Sequence, residues 1–472
     1  MQHRYIRTLL LPALVLFLAS CSVGKNFRRP QTNLPRNFRN APEPKDSSSI
    51  ADLAWKDFFS DTALQGMISH TIARNFDMRL ALKNIESANQ TLKQSRAAFA
   101  PDLNFNISAA SNRPSGSSLN GISLSNFLGT THLEDFNAGV TLSWEIDIWG
   151  KMRRQKEAAQ ADYIQSAEGV RAVQTSLVSS VATGYYNLLM LDAQLAIARR
   201  NLQLNDSILQ MTQLRKDVGQ TTSLGVQLVE AQKQAAALLI PQLEQRITIQ
   251  ENALRLLSGD QPSAVDRSTR LRDVMLSDSL SAGFPLGILS RRPDVKAGEM
   301  RVKAANARAG VAQASMYPSL VINLGAGLNS FTAGNWFNIP GSLFGTFFGG
   351  LTQPLFNRRR LKTQFELAKI ERDKSIIEFE KSVLTAVTEV SDALVKVEKL
   401  KQQQQIAEAR VKTLQGALTD ARLLFQTGLA DYLEVITAQG NLLQGELEAS
   451  AITCNLYLAK IELYRALGGG WK

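Results

Sequence analysis

Two long stretches without proline constrain the fold of this chain more than any other feature. No proline occurs from Ser115 to Ile240, and none from Leu355 onward. Because an interior proline breaks or kinks a helix, unbroken helices can run through these stretches. Residues 151–214 and 358–424 show apolar positions at helical spacing among Ala, Gln, Glu, Lys and Leu. At 1.5 Å per residue, each predicts a helix on the order of 95 Å long.

Each long helix is predicted to end at a glycine and to turn back into a second helix. Gly219 follows the first helix and Gly428 follows the second, and glycine readily adopts the left-handed conformation that closes many helices. We therefore predict two antiparallel helical hairpins, at about residues 151–257 and 358–467. Pro241 is predicted to kink the return arm of the first hairpin, and near-heptad apolar spacing predicts coiled-coil packing.

The residues after each glycine offer side chains that can start the return helix. In the first turn, Thr221, Thr222 and Ser223 are candidate N-caps. In the second turn, Asp431 and Glu434 have the spacing of a capping pair. These two turns are the predicted tips of the hairpins.

The chain contains an internal duplication. Residues 97–101 and 314–318 each end a predicted helix at a proline and begin a strand, and similar helical hairpins follow both. We therefore divide the chain into a first repeat at 61–264, a linker at 265–290 and a second repeat at 291–472. The two halves share one design.

Between the helices of each repeat, the sequence period changes from helical to alternating. Strand hairpins are predicted at about 102–149 and 319–356, with strands of roughly ten residues, the length of a tilted transmembrane strand. In one strand apolar and polar residues alternate: Val140, Leu142, Trp144, Ile146 and Ile148 with Thr141, Ser143, Glu145 and Asp147. Ordinary half-buried strands show the same alternation, so the pattern alone does not establish a membrane span.

Four strands from one chain leave open edges. Within a bilayer every backbone group must be paired, so closure requires further copies of the chain. Two copies give eight strands with an interior filled by side chains, whereas three give twelve strands and room for a channel. We predict a homotrimer with transmembrane β-strands, whose lumen is lined by polar side chains: Asn104, Asn106, Glu145, Asp147 and Asn323.

Aromatic residues and loops complete this interpretation. The candidates for interfacial aromatic girdles are Trp144, Trp149, Trp336, Phe344 and Phe356. The loops at 111–135 and 330–343 are predicted to be extracellular, and their Gly, Ser and Asn content is typical of mobile surface loops.

The N-terminal residues have the order of a secretory signal. Arg4 and Arg7 precede an apolar run and then small residues, which predicts a signal at 1–20 that is too short to span a bilayer. Residues 18–21 resemble a lipobox, so Cys21 is the predicted site of a covalent lipid anchor. The alternative is a plain signal whose cysteine lies near the cleavage point.

Other functional classes find little support in the sequence. The formal net charge is +11, but Lys and Arg are scattered along predicted helices without the clustered aromatics of a single-strand binder, so no nucleic-acid partner is expected. His3, His70 and His132 lack metal-ligand spacing, and no phosphate loop or nucleophile elbow occurs. We expect no catalytic residue, no metal site and no cofactor besides the lipid. Cys454 is interpreted as a small packing residue.

Several motifs follow one another in a fixed order along the chain: the lipobox cysteine, residues 53–59 with Leu64, the helix ends at 97–101 and 314–318, Arg291-Arg292-Pro293-Asp294, and Phe425-Gln426-Thr427-Gly428. These motifs and their order resemble the TolC-like outer-membrane factors, in the lipoprotein branch that serves RND tripartite efflux systems. The resemblance covers essentially the whole chain after the signal.

The resemblance implies a mainly α fold: a trimeric twelve-stranded β-barrel in the outer membrane, continued by a long periplasmic α-helical barrel. Residues 21–60 would form the lipidated N-terminal segment with equatorial contacts. The implied partners are a periplasmic membrane-fusion adaptor, an inner-membrane RND-type pump and outer-membrane lipid. The implied gate and adaptor contacts are Val218, Gly219, Gln220, Thr427, Gly428, Leu429 and Asp431.

Some questions stay open at the level of sequence. Asp431 matches an acidic tip position that helps to close the aperture, but it can also act as an N-cap alone. The tips depart from the more regular pair of glycine turns flanked by Arg and Tyr in TolC. Two alternative functions are an exit duct for type I secretion and a non-conducting coiled-coil scaffold. The cargo is not indicated.

Overall fold

The computed structural model describes residues 23–32, 34–39, 49–276 and 281–472. The predicted signal at 1–20 and the predicted lipid site Cys21 lie outside the described residues. Among the helices that the structure does describe, none is long and apolar enough to cross a membrane.

Both halves of the chain contain a helix, two strands, a long helix and a return helix in that order, and the first half has additional short helices. The first half contains α1 (Trp55–Phe58), α2 (Thr62–Arg74), α3 (Phe76–Ala97), β1 (Asp102–Asn112), α4 (Leu119–Leu128), β2 (Leu133–Ile146), α5 (Lys151–Asp217) and α6 (Ser223–Leu257). The second half contains α7 (Ile288–Arg291), α8 (Pro293–Ala314), β3 (Ser319–Ser330), β4 (Leu343–Thr352), α9 (Arg360–Thr427) and α10 (Tyr432–Ala466). Short 3₁₀ turns occur at Ile50–Asp52, Leu271–Asp273, Pro285–Gly287 and Ala333–Asn335.

The long helices are unbroken. α5 has 67 residues and α9 has 68, in agreement with the proline-free stretches. Pro241 lies inside α6.

The four strands form one antiparallel sheet in the order β1-β2-β3-β4, so β1 and β4 are the edges of the described sheet.

The sheet register separates an apolar face from a polar face. Leu142 of β2 pairs with Leu103 and with Leu324, while the adjacent Ser143 pairs with Asp102 and with Asn323. Successive side chains along a strand point to opposite faces, so the alternation in the sequence becomes two chemically distinct surfaces.

The start of α9 differs from the prediction. The helix begins at Arg360 rather than at residue 358, because Arg358 (φ 54°) and Arg359 (φ 65°) both adopt left-handed backbone conformations. In the first half, Gly150 (φ 79°) supplies the left-handed residue before α5. Arginine has no preference for this conformation, so the residue types at 358 and 359 do not indicate the turn. β4 also ends earlier than predicted, at Thr352.

The segment between β1 and β2, which the composition predicts to be a surface loop, contains a ten-residue helix, α4. Ser118 starts this helix, because its Oγ accepts a hydrogen bond from the backbone N–H of Gly121 at 3.1 Å. Gly129 (φ 65°) ends it. The Gly and Ser content that indicated a loop therefore supplies the two caps of a helix.

The chain divides into two compact units that cut across the two repeats. Unit 1 contains the sheet, and its described residues are 23–30, Glu86–Ile164 and Glu299–Ile377. Unit 2 is helical, and it comprises the described residues within Gln31–Ile85, Gln165–Gly298 and Glu378–Lys472. Each unit takes segments from both halves of the sequence, so the repeats are not separate domains.

The core of unit 2 is built from small and aliphatic residues on facing helices. One buried cluster consists of Leu188, Leu191, Ala198, Leu243, Ile247, Leu254 and Val265.

Cys454 is fully buried, and this burial raises the pKa of its thiol to about 12. The interpretation of Cys454 as a packing residue is confirmed.

A buried arginine explains one of the sequence motifs. Within unit 2, Arg292 donates to Glu389 at 2.6 Å, to Asp294 at 2.6 Å and to the carbonyl oxygen of Ala466 at 3.1 Å. Burial alone would lower the pKa of Arg292, but hydrogen bonds and charges from the two acids outweigh it and raise the pKa. Arg292 is buried while its acidic partners reach the surface. Removing either partner leaves a buried charge less well compensated and is destabilising, so this part of the motif is structural.

Candidate functional site

The first hairpin tip is closed by Gly219 in the left-handed conformation (φ 77°). The backbone N–H of Gln220 donates to the carbonyl oxygen of Arg215 at 2.8 Å, which is the bond that ends a helix in a Schellman motif. Thr222 then caps α6, since its Oγ1 accepts a hydrogen bond from the N–H of Gly225 at 3.3 Å. Of the three candidate caps, the structure selects Thr222.

The second tip has the same closure but a different start to its return helix. Gly428 is left-handed (φ 78°), and the N–H of Leu429 donates to the carbonyl oxygen of Leu424 at 2.9 Å. Asp431 occupies the N-cap position of α10, but its side chain makes no capping hydrogen bond. The predicted capping pair of Asp431 and Glu434 is therefore wrong. The backbone at Asp431 is extended, and its carboxylate stays exposed at the tip.

The two tips of one chain pack into a single apolar cluster. Its buried members come from four helices: Ile208, Leu209, Val229, Leu418, Phe425, Val435 and Leu442. Gly225 allows a close approach here, because a Cβ at this position would lie 2.8 Å from the ring of Tyr432. The tips are thus one packed body rather than two separate turns.

Arg215 is the contact at the tips that sequence reasoning missed. Its guanidinium carbon lies 4.2 Å from the centre of the Phe425 ring, and its Nη2 donates to the backbone carbonyl oxygens of Phe425 and, at 3.5 Å, Gln426. These carbonyls lie in the last turn of α9, where a cation is favourable. Nothing in the sequence near Arg215 indicated a partner more than two hundred residues away.

Large apolar side chains surround the tips and are exposed in the single chain. They are Leu214, Val218, Leu224, Leu228, Leu423, Leu424, Leu429 and Leu433. Val218 is 69% exposed and Leu429 is 77% exposed. Exposed apolar patches of this kind mark surfaces that contact other proteins. The residues predicted at the gate therefore lie at tips that carry many exposed apolar side chains, and the exposed Asp431 belongs to the second of these tips.

The structure brings four of the predicted lumen residues onto one face of the sheet: Asn104, Asn106, Asn323 and Glu145. Asn104 pairs with Thr141, and Asn106, two residues further along β1, points the same way. Asn323 pairs with Ser143, which lies two residues from Thr141 on β2. This shared polar face is the candidate wall of a lumen.

The two predicted acidic lumen residues have other partners. Glu145 is on β2, and its carboxylate accepts hydrogen bonds from Lys151 Nζ at 2.8 and 3.0 Å. Asp147 lies beyond the end of β2 and accepts hydrogen bonds from the backbone N–H groups of Met152 and Arg153, at 3.0 and 3.1 Å. Asp147 thus binds the first turn of α5, where an acidic group is favourable.

The aromatic residues proposed for girdles do not share one location. Trp144 lies on the apolar face, and its Nε1 donates to the carbonyl oxygen of Phe99 at 3.0 Å. Phe344 pairs with Gly327 and lies on the polar face, so the register places it away from a lipid-facing girdle. Trp149 and Phe356 lie outside the strands, and Trp336 lies in the loop after β3.

The two histidines in the described residues each lie beside a carboxylate. The distance from His70 Nε2 to Asp260 Oδ2 is 2.8 Å, and the distance from His132 Nε2 to Glu134 Oε1 is 3.8 Å. Among the residues that the structure describes, no group of three or more His, Cys, Asp or Glu side chains could hold a metal ion.

Four antiparallel strands with one polar and one apolar face, two very long helical hairpins and apolar tips define a channel-forming protein of the outer membrane. The chain belongs to the outer membrane efflux protein family, whose model matches residues 67–260 and 287–469.

The chain matches curated relatives and solved structures over nearly their whole length. The chain is 28% identical to the cation efflux system protein CusC of Escherichia coli O6:H1 over 467 residues, covering 98% of this chain and 99% of CusC. It is 29% identical to the probable outer membrane lipoprotein SilC of Salmonella typhimurium, covering 97% of each. The open state of the MtrE outer membrane channel of Neisseria gonorrhoeae matches with a TM-score of 0.86 and 25% identity, covering 96% of this chain and 99% of that one.

The predicted fold class, function and localisation are confirmed by these relationships. The chain is the outer-membrane exit channel of a tripartite efflux pump and not an enzyme. Its structural relatives are trimeric channels with a β-barrel and an α-helical barrel. Channels of the family work with an adaptor and an inner-membrane pump.

Proposed function

We propose that three copies of this chain form a gated exit channel for small molecules, anchored by a lipid on Cys21 and opened at the hairpin tips by the membrane-fusion adaptor of an RND-type pump. The observation that carries this proposal is the apolar surface around Val218 and Leu429. Such a surface is costly to leave in water, so it favours a protein partner.

The contacts within one chain support a closed resting state of the tips. Arg215 links α5 to the end of α9 through Phe425, and the shared apolar cluster adds to this link. An adaptor opens the channel only if it binds the open arrangement more tightly than the closed one. We propose that the exposed leucines at the tips contact the adaptor, and that they bind it more tightly in the open arrangement than in the closed one.

Asp431 is proposed to set the electrostatics of the closed gate. Its carboxylate makes no capping bond and is exposed. In a trimer, three such carboxylates at one aperture repel each other and attract cations. This arrangement favours passage of cations while the aperture is narrow.

The lipid anchor is proposed from the lipobox-like residues 18–21, and the name of the relative SilC as an outer membrane lipoprotein supports it. A protein with three acyl chains is held firmly to a leaflet, whereas one chain binds only marginally. Cys21→Ser is expected to abolish incorporation of labelled palmitate. Incorporation that persists in this variant would refute the assignment of Cys21.

The function is tested by deleting the gene and complementing the strain with variants. Leu429→Asp should assemble normally but lose export of small molecules, because it places a charge in the proposed adaptor contact. The matched control is Gln426→Asp, which adds the same charge at an exposed polar position of the same tip. Normal small-molecule export by Leu429→Asp, or a deletion that affects only secreted proteins, would contradict the proposal.

A further inference from the structure

Two aromatic side chains of β4 lie on the polar face of the sheet. Phe348 pairs with Asn323, one of the predicted lumen residues, and Phe344 pairs with Gly327, four residues further along β3. Residues directly opposite each other in the ladder share a face, so both rings belong to the face of Asn323. Phe347 lies between them in sequence and points to the apolar face.

Glycines beneath these rings hold space open for them. A Cβ on Gly327 would clash first with the backbone of Ala138 and Gly139, and it would also lie 2.9 Å from the ring of Phe344. A Cβ on Gly139 of the neighbouring strand would lie 3.1 Å from the same ring. A Cβ on Gly350 would lie 2.8 Å from the ring of Phe348. The rings therefore rest over bare backbone, and Phe348 is still 62% exposed. We call Phe344 and Phe348 the aromatic wall.

The charges on the strands are all of one sign. The four described strands contain no Lys or Arg, and they carry the carboxylates Asp102, Glu134, Asp135 and Glu145. Asp102 and Glu145 both share the polar face with the aromatic wall, since Ser143 pairs with Asp102 and Asn323 and lies two residues from Glu145. Glu145 is paired with Lys151 at 2.8 Å, which offsets its charge. β1 and β4 are the open edges of the sheet, so closure with further copies places the aromatic wall beside the β1 strand of the next copy.

We propose that the aromatic wall binds bulky aromatic organic cations as they pass through the barrel, an inference that rests on the proposed trimeric channel. The face of an aromatic ring attracts a cation, and the flat ring surface adds apolar contact area. The carboxylate of Asp102 favours the same sign of charge. An aromatic anion of similar shape gains only the apolar contact and meets a repulsive field.

Equilibrium binding to the intact trimer in lipid nanodiscs tests this site. The probe is rhodamine 6G, an aromatic cation, and fluorescein serves as an anion with a related ring system; fluorescence anisotropy reports binding of both. Phe348→Leu keeps an apolar side chain but removes the ring, and it should weaken rhodamine 6G binding about 2- to 30-fold, the range of a cation–π contact. Asp102→Asn should weaken rhodamine 6G binding as well, and it should strengthen fluorescein binding, because the repulsive carboxylate is removed.

The matched control is Phe347→Leu, the same substitution one residue away on the opposite face, which should leave binding unchanged. Equal rhodamine 6G affinities for Phe348→Leu and Phe347→Leu, or equal binding of the cation and the anion, would overturn the inference. The single-channel conductance of the same preparations shows whether a negative binding result refutes only the aromatic binding site or also the proposed trimeric channel. A conducting trimer without selective binding refutes the aromatic wall alone, whereas a trimer that never conducts refutes the proposed channel.

Discussion

Arg215 of α5 lies over the ring of Phe425 of α9, with 4.2 Å between its guanidinium carbon and the ring centre, and it also donates to the Phe425 carbonyl oxygen. One side chain thus bonds both the aromatic ring and the backbone at the end of the opposite long helix. Both interactions hold the two hairpin tips of one chain together.

Removing this contact should loosen the tips. Arg215→Ala is expected to raise the single-channel conductance of the trimer in a planar bilayer, because the carbonyls at the end of α9 lose their cation. Arg199→Ala is the control, since Arg199 forms an exposed ion pair with Glu244 at 2.8 Å on the same hairpin, and exposed pairs contribute little. Equal conductance of the two variants would show that Arg215 does not restrain the gate.

Thr222 and Asp431 occupy equivalent N-cap positions but should differ in their effect on stability. Thr222 makes a capping hydrogen bond, so Thr222→Ala should cost about 1 kcal/mol of unfolding free energy. Asp431 makes no such bond, so Asp431→Ala should change stability by less than about 0.5 kcal/mol. Thermal unfolding of the two variants by circular dichroism measures the difference. If Asp431→Ala lowered the free energy of unfolding as much as Thr222→Ala does, Asp431 would have to act as a helix cap.

Gly225 should be intolerant of a side chain, although it lies inside a helix. Gly225→Ala places a methyl group against the ring of Tyr432 and is expected to destabilise the tips, since overpacking typically costs about 1–3 kcal/mol. Gly416→Ala is the matched control, because a Cβ at Gly416 meets no atom within 4 Å. That substitution should stabilise α9 by about 0.5–1 kcal/mol. Denaturant unfolding would contradict the account if both substitutions shifted stability in the same direction.

Much of this fold follows from local rules that the sequence displays. The proline-free stretches predicted α5 and α9, and Gly219 and Gly428 predicted their ends, because each signal acts within a few residues. The alternation around Leu142 and Ser143 predicted two faces for the sheet. Each of these features depends on short-range chemistry alone.

The features that sequence reasoning missed depend on distant contacts. Asp431 has the residue type and spacing of a cap, yet its side chain does not turn back toward the helix. Phe344 has the composition of a girdle residue, and only the register with Gly327 places it on the polar face. Arg358 and Arg359 adopt a backbone conformation that their residue type does not favour. Such features are fixed by tertiary packing rather than by local propensity.

The ion cluster of Arg292 predicts a pH dependence of stability. Burial would raise the pKa of Asp294, but the hydrogen bond and charge of Arg292 outweigh it and lower the pKa. A carboxyl group whose pKa is lower in the folded than in the unfolded protein stabilises the fold at pH values above its unfolded-state pKa, which is about 4 for Asp. This stabilisation is lost as the pH falls through the folded-state pKa. Asp294→Asn should therefore lower the unfolding temperature at pH 7, and the difference from wild type should shrink by pH 3. A difference that does not change with pH would contradict this role.

A gate at the hairpin tips is tested by the single-channel conductance of the purified trimer and of its Asp431→Ala variant in a planar bilayer. Wild-type trimers should conduct weakly and favour cations, because three exposed carboxylates meet at a narrow aperture. The variant should fold normally and show higher conductance or greater leak of small molecules. An Asp431→Ala trimer whose conductance equals that of wild type would contradict a gate at the hairpin tips.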